Sequence, residues 1–334
     1  MGGSDTNSGR GPRRLVRSLL AAALALAVAC GGDEGADLEP VDAADADEAG
    51  DVTEDLVDVE VDDDAAPVFT GERFTVGHRV WHNGFMIEFG DAAVQEIEDS
   101  FGNRAPVLAI DATFHNEGAD TNPFRSEAVV AADGKFLFLA HGFSDLPDVP
   151  GGLAGAGRFV FGLDEPIDMA TAALIIGSSQ ERQTRVPLGP LAGELVTYEP
   201  VEVALSGEIS LEPVDVVLTS GVLRADRPVN HSQVEAGKLA LTLNLEALVR
   251  TSRSLAMQAR EFALILPSGL AVVPEGSGLG VLDGSEDGIL NPDLYVRFVV
   301  DDPPTGSYTL RYTVPGHYVS AGEETEGELT FTLD

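Results

Sequence analysis

One acidic loop in the second half of the chain carries residue types that could bind a metal ion. Asp283, Ser285 and Asp287 stand at alternate positions and Gly288 follows them. Calcium loops place oxygen ligands at alternate positions in this way, but an EF-hand also needs Glu at its twelfth position, where this chain has Leu294. We favour a solvated acidic turn. The alternative is an irregular calcium site with Asp283, Ser285 and Asp287 as its ligands.

The histidines do not follow a metal-binding pattern. His78 and His82 lie four residues apart in a run that is typical of a strand, so about 13 Å would separate them. That distance is too long for one metal ion, and we expect ordinary surface or loop histidines. The sequence contains neither a GxSxG nor an HExxH motif, and its glycine-rich runs lack a following Lys. We therefore expect a protein that is not an enzyme and has no cofactor, calcium aside.

Cys30 is the only cysteine in the chain, and it directly follows an apolar run. Three arginines, at positions 13, 14 and 17, precede the eleven-residue run 19–29. A basic segment, a short apolar segment and small residues at the cleavage point are typical of a secretory signal. A membrane-spanning helix needs about 20 apolar residues. The run therefore indicates export and not a permanent span.

The segment Ala27-Val28-Ala29-Cys30 resembles the lipobox of bacterial lipoproteins, although that family usually has Leu, Val or Ile where this chain has Ala27. The resemblance implies that residues 1–29 are a signal peptide and that signal peptidase II cuts before Cys30. It also implies that Cys30 carries a palmitate-type lipid, which anchors the protein in the cell envelope, at the outer membrane or cell surface. The alternative is an ordinary signal peptide with a chance cysteine.

The segment after Cys30 is strongly acidic. Between Asp33 and Asp64 there are sixteen Asp or Glu residues and no Lys or Arg. Such a segment buries too little apolar surface to offset its ordering entropy, so residues 30–66 are predicted to be the lipidated cysteine and a disordered tether.

The net charge of the whole chain limits the classes of partner that it is expected to bind. The chain has 56 acidic and 20 basic residues and a formal charge of −36. This charge argues against nucleic-acid binding, which requires basic patches. The expected partners are the membrane, through the lipid, and an unknown envelope or extracellular ligand.

The chain from residue 67 onward has the pattern of an all-β protein. Short apolar runs alternate with polar residues, as in 85–89, 107–114 and 239–245, and turn residues separate them. The second half repeats the order of the first: two strands, a strand with a turn, a long loop, a strand followed by Asp and Pro, and a further strand. We predict two β-sandwich domains, 67–197 and 198–334.

Each half resembles the immunoglobulin-like β-sandwich domains of bacterial surface lipoproteins, through its strand order and the phrase 112–118. The chain lacks the cysteine pair of antibody domains, and its one tryptophan, Trp81, comes too early to be their core tryptophan. We interpret the protein as a lipid-anchored, non-catalytic binding or structural module that uses loops or a strand edge for recognition. The alternatives are a calcium-dependent binding module or adhesin, and a divergent envelope hydrolase.

Overall fold

The computed structural model describes residues 73–98 and 104–334, and nearly all of its regular structure is β-strand. Within these residues there is no α-helix, and the helical structure consists of two three-residue 3-10 helices. The prediction of an all-β fold is therefore confirmed. The predicted signal peptide, Cys30 and the predicted tether lie outside the described residues.

The first half forms two main antiparallel sheets. Its strands are β1 (Arg73–Thr75), β2 (Arg79–His82), β3 (Phe85–Glu98), β4 (Arg104–Asn116), β5 (Asn122–Pro123), β6 (Ala128–Ala132), β7 (Lys135–Phe138), β8 (Asp148–Val149), β9 (Ala154–Gly162), β10 (Ala173–Ile176) and β11 (Thr184–Pro187). One sheet has the order β1-β3-β4-β9, with β2 also paired to β3, and the other has the order β11-β10-β6-β7. Strands β5 and β8 form a small separate pair.

The second half is built in the same way. Its elements are β12 (Val201–Val203), β13 (Gly207–Leu211), β14 (Val214–Arg224), β15 (Asp226–Arg227), β16 (Ser232–Gln233), β17 (Lys238–Val249), β18 (Leu255–Ala256), the 3-10 helix η1 (Ala259–Glu261), β19 (Phe262–Ile265), β20 (Ala271–Val272), β21 (Gly276–Ser277), β22 (Val281–Leu282), β23 (Ile289–Asp301), β24 (Gly306–Val314), the 3-10 helix η2 (Gly316–Tyr318) and β25 (Thr325–Leu333). Its main sheets have the orders β12-β14-β17-β23-β21, with β13 paired to β14, and β20-β19-β24-β25.

The central strand pairings of the two halves correspond. The series β3-β4-β9 in the first half matches β14-β17-β23, and β7-β6-β10-β11 matches β20-β19-β24-β25. The match extends to a local irregularity, because the register shifts after the fifth residue of both β3 and β14. The sequence pattern predicts that the second half repeats the succession of strands of the first half, but it does not predict these pairings. The immunoglobulin-like detail is not confirmed and stays a prediction.

Alternating side chains explain why the strands pack as they do. In β3, Phe85, Ile87 and Phe89 are buried, while the residues between them are more exposed. The shift after Phe89 places two residues of β3 opposite one of β4, and it returns Ala92 and Val94 to the buried face. A β-bulge thus keeps the apolar side chains on the buried face along a fourteen-residue strand.

Each half has its own hydrophobic core between its two main sheets. The first core is aromatic: the ring of Phe114 lies 5.1 Å from that of Phe124 and 5.6 Å from that of Phe159, measured between centroids. The second core is mainly aliphatic, with Phe262 stacked on Tyr312 at 4.6 Å. Both cores lie within the same compact unit of the chain. The domain boundary at residue 198 stays a prediction.

A buried polar junction joins the two halves. The β2–β3 hairpin turns at Asn83 and Gly84, which have φ angles of 52° and 77°. These positive angles are those of a type I′ turn, for which Asn-Gly is the preferred pair. The turn points its backbone N–H groups at the second half: Asn83 donates to Gln233 Oε1 at 3.1 Å, and Gly84 donates to Asp226 Oδ2 at 2.6 Å.

Two arginines complete the junction from opposite sides. Arg224 in the second half donates to Asp226 Oδ1 at 2.7 Å and to Glu117 Oε2 of the first half at 2.5 Å. Arg182 in the first half donates to the carbonyl oxygen of Lys238 at 2.6 Å and forms an ion pair with Asp302. Both guanidinium groups are largely buried, so hydrogen bonds within the protein replace their water contacts.

The two halves approach each other closely at Gly84. A Cβ atom there would lie 2.7 Å from Pro228 Cα, and no side chain tolerates that distance from a backbone atom. Gly134 offers a matched control, because it also follows an acidic or amide residue in a hairpin turn and has a φ of 74°. A Cβ atom at Gly134 would meet no atom within 4 Å.

We predict that Gly84→Ala destabilises the protein more than Gly134→Ala does. Both variants place alanine at a positive φ, which costs about 1–2 kcal/mol. Only Gly84→Ala also crowds Pro228, and crowding of this kind costs about 1–3 kcal/mol more. Denaturant unfolding of the two variants measures the difference. Equal losses of stability would contradict the close contact between the halves.

Candidate functional site

A polar cavity of about 510 Å³ lies at one end of the second sandwich. It forms where β19 begins, β24 ends and β25 begins, with η1 and η2 on its sides. Most of its lining side chains are polar or charged, and they come from four separate segments. These side chains are Gln258, Arg260, Glu261, Thr313, His317, Tyr318, Glu324 and Glu326.

Glu261 is the most deeply buried acid of the cavity, with 9 % of its surface exposed. Glu261 is the last residue of η1 and directly precedes Phe262, which is buried at the start of β19. This neighbour holds Glu261 close to the core. Its Oε2 accepts a hydrogen bond from the backbone N–H of Gln258 at 2.9 Å. Burial raises the pKa of Glu261, while the Gln258 N–H and the nearby charges of Arg260 and His317 oppose this rise. The carboxyl therefore holds its proton more readily than an ordinary Glu.

Two aromatic residues form another wall. Tyr318 is fixed by its hydroxyl, which accepts a hydrogen bond from the backbone N–H of Ala256 at 3.0 Å. The ring of His317 lies 4.0 Å from the ring of Tyr318, with an angle of 42° between the planes. The wall thus presents an aromatic surface that is held in one orientation.

Tyr312 belongs to the second core and is not one of the residues that line the cavity. Its ring is fully buried against Phe262, and its hydroxyl has no hydrogen-bond partner among the described residues. Burial raises the pKa of Tyr312, and the neighbouring Glu261 and Tyr318 raise it further. An unpaired buried hydroxyl costs about 1–3 kcal/mol and requires an explanation.

The arrangement suits recognition of polar ligands. Three carboxylates, one guanidinium and one amide line the space, so the negatively charged groups outnumber the guanidinium. A cavity of this size with a few convergent polar groups has the dimensions of a small-molecule site. Within the described ranges no group of three or more His, Cys, Asp or Glu side chains is placed to hold a metal ion.

The acidic loop predicted as a calcium candidate connects β22 to β23. Asp283 and Asp287 are exposed, Ser285 is half-buried, and none of the three joins a metal-binding group in the part of the chain that the structure describes. Asn291 ties the loop together, because its Oδ1 accepts from the Asp283 N–H and its Nδ2 donates to the Asp283 carbonyl oxygen, both at 3.0 Å. The calcium site stays a prediction.

His82 differs from the expectation of ordinary surface or loop histidines, whereas His141 and His317 are exposed and His231 lies in a turn. His82 is completely buried in β2, with Nε2 at 2.9 Å from Ser126 Oγ and Nδ1 at 3.3 Å from Thr184 Oγ1. His231 lies at the junction, 5.2 Å from the ring of Phe85, and neither of its ring nitrogens has a partner among the described residues. Burial lowers the pKa of His82 and of His231.

An exposed strand edge is a second surface feature. Strand β7 stands at the end of its sheet, and Phe136 and Phe138 on it are 58 % and 71 % exposed. An edge strand has backbone groups that can pair with another chain, although Lys135 at its start opposes such pairing.

The residues of the cavity and of the junction were not singled out in the sequence. Glu261 follows Gln258 at the spacing of a capping box, which marks a helix start and would have drawn attention to this carboxyl. The Asn83-Gly84 pair between two apolar runs is the strongest short hairpin signal. Neither signal indicates which distant residues the segment contacts.

Comparisons with known proteins do not assign a family. No family model and no curated protein matches the chain. One matching solved structure is described as the crystal structure of the conserved domain protein from Bacillus anthracis; it covers 80 % of this chain and 93 % of its own, with 8 % identity and a TM-score of 0.27. A similarity at that level carries no argument about fold or function. Across residues 73–98 and 104–334, no helix is long and apolar enough to span a membrane.

We predict that His82 makes stability depend on pH. Burial lowers its pKa from 6.5 to about 4, so the unfolded chain binds a proton between these values and the folded protein does not. Stability should therefore fall as the pH drops from 6.5 to 4, by up to about 3 kcal/mol from this residue.

Unfolding of His82→Gln at several pH values tests this prediction. Glutamine keeps a hydrogen-bonding side chain but does not titrate, so the curve of stability against pH should be flatter in this window. His141→Gln, at an exposed histidine, is the control and should follow the wild type. A His82→Gln curve parallel to the wild type would contradict the prediction.

Proposed function

We propose that the protein is a lipid-anchored cell-envelope protein whose folded part is a non-catalytic binding or structural module. The sequence around Cys30 supports the anchor, and the polar cavity supports a binding role. The single observation that carries the binding role is the buried carboxyl of Glu261 in the lining of the polar cavity, to which the described residues give one hydrogen bond, from the Gln258 N–H. A carboxyl with unused acceptor capacity in a cavity can accept hydrogen bonds from a ligand.

The anchor follows from the chemistry of one sulfur. Cys30 has no second cysteine with which to form a disulfide, and a free thiol is uncommon in an exported protein. Acylation of Cys30 would remove the thiol and hold the protein at the outer membrane or cell surface. In this proposal residues 1–29 are the signal peptide and residues 30–66 separate the folded part from the lipid.

The two halves supply the scaffold of the proposed module. Each is a pair of packed antiparallel sheets, which is the basis for proposing a distant immunoglobulin-like relationship. The junction at Asp226, Arg224 and Arg182 fixes one half against the other. A module built in this way would present its cavity and its β7 edge in a constant arrangement.

A divergent hydrolase is the second candidate, and the raised pKa of Glu261 favours it. A protonated carboxyl can act as a general acid, and Glu324 and Glu326 line the same cavity. If the protein were a glycoside hydrolase, Glu261→Gln would abolish turnover of chromogenic glycosides. We expect no turnover in wild type or variant, and turnover that requires Glu261 would overturn the non-catalytic role.

We predict that Cys30→Ala releases the protein from the membrane fraction. Without the cysteine no sulfur is available for acylation, and the eleven apolar residues before it are too few to span the bilayer. Fractionation of cells with detection of the protein measures the release, and metabolic labelling with palmitate should mark only the wild type. Ser285→Ala, a change far from the signal in sequence, is the control. A Cys30→Ala protein that stays in the membrane fraction would contradict the anchor.

A further inference from the structure

We propose that the polar cavity at the end of the second sandwich binds an organic ammonium ion. This inference rests on the proposed binding role and specifies its ligand class. The cation would lie between the carboxylate of Glu261 and the aromatic wall of His317 and Tyr318.

The first argument is the charge of the cavity. Glu261, Glu324 and Glu326 line it together with a single arginine, Arg260. The surrounding protein carries a strong excess of acid, so the long-range field also favours positive ligands. Anionic ligands such as phosphates or acidic sugars would be repelled by both the lining and the field.

The second argument is that the buried carboxyl of Glu261 has an oxygen without a hydrogen bond from the described residues. Glu261 uses Oε2 to accept the Gln258 N–H, and no hydrogen bond among the described residues engages its Oε1. A buried carboxylate without a paired cation is costly, and an incoming ammonium group would supply the missing charge.

The third argument is the aromatic wall. Cations bind to aromatic faces within about 6 Å of the ring centre, and proteins recognise quaternary ammonium ligands through this interaction. The hydrogen bond from Ala256 to the Tyr318 hydroxyl holds that ring in place. A metal ion would not benefit from this surface. In addition, the described side chains form no group of three or more metal ligands.

Binding of the cation should release protons at any pH where Glu261 is partly protonated. The groups that face Glu261 are Arg260 and His317, the Gln258 N–H, Tyr312 and Tyr318, with Glu324 and Glu326 elsewhere in the cavity lining. Burial raises the pKa of Glu261, and a bound cation would lower it again. Affinity should therefore increase as the pH rises and Glu261 loses its proton.

Calorimetric titration of the folded protein with choline tests the inference. The matched ligand is 3,3-dimethyl-1-butanol, which has the shape of choline without its charge. Sodium chloride is kept at about 0.15 M, so that exposed charges are already screened and adding choline does not change that screening much. We expect saturable binding of choline and at least tenfold weaker binding of the neutral alcohol.

Three variants separate the site from general charge effects. Glu261→Gln keeps an oxygen for the Gln258 N–H but removes the charge, and we expect it to weaken choline binding at least tenfold and to flatten its pH dependence. Arg260→Ala removes the resident competing cation and should strengthen binding, by about threefold. Glu286→Gln, at an exposed acid of the β22–β23 loop, should bind choline as the wild type does.

The outcomes separate this inference from the broader binding role. Equal affinity for choline and the neutral alcohol, with loss of both in Glu261→Gln, would overturn the ammonium ligand but retain a binding cavity. Unchanged choline affinity in Glu261→Gln, or no choline binding by the wild type, would overturn the inference at this site. Membrane release of Cys30→Ala reports on the anchor independently of all these results.

Discussion

The arrangement of the two halves depends on one buried carboxylate, that of Asp226. It accepts the N–H of Gly84 from the first half through one oxygen and the guanidinium of Arg224 through the other. Arg224 in turn reaches Glu117 across the junction. Removing either partner would leave a charge buried without compensation, which costs more than the pair itself contributes. Gly84 at the hairpin tip and Asp226, which accepts its N–H, therefore depend on each other.

Most of the fold could be predicted from the sequence, because the information is local. The alternation in 85–89 and 239–245 places inward and outward side chains without any knowledge of partners. The repeat was visible because both halves follow the same succession of strands and turns, and the structure extends it to the bulge after Phe89 and Leu218. The immunoglobulin-like detail depends on which strands pair, and alternation alone does not determine pairing.

The cavity and the junction could not be predicted for the opposite reason. Gly84 and Asp226 are 142 residues apart in the chain, and the cavity combines segments from Ala256 to Glu326. A sequence with 56 acids offers many equivalent candidates, and only burial distinguishes them. The exposed Asp283 and Asp287 attracted attention through their spacing, whereas Glu261 has no neighbouring acid and was overlooked. The spacing of acids in the sequence indicates which of them share a loop. Whether an acid is buried depends on tertiary packing, which the spacing does not show.

Three buried acids of the second half show how packing assigns different roles to the same chemistry. Asp215 accepts hydrogen bonds from Arg250 and Ser210, and the Arg250 hydrogen bond lowers the pKa of this carboxyl despite its burial. Asp226 has Arg224 and a backbone N–H, so it too is fully compensated. Glu261 has only one backbone N–H, and burial raises its pKa. Two acids are thus satisfied within the fold, and the third is left with capacity for a partner that the chain does not provide. That difference, and not the abundance of acid on the surface, distinguishes the cavity from the rest of the molecule.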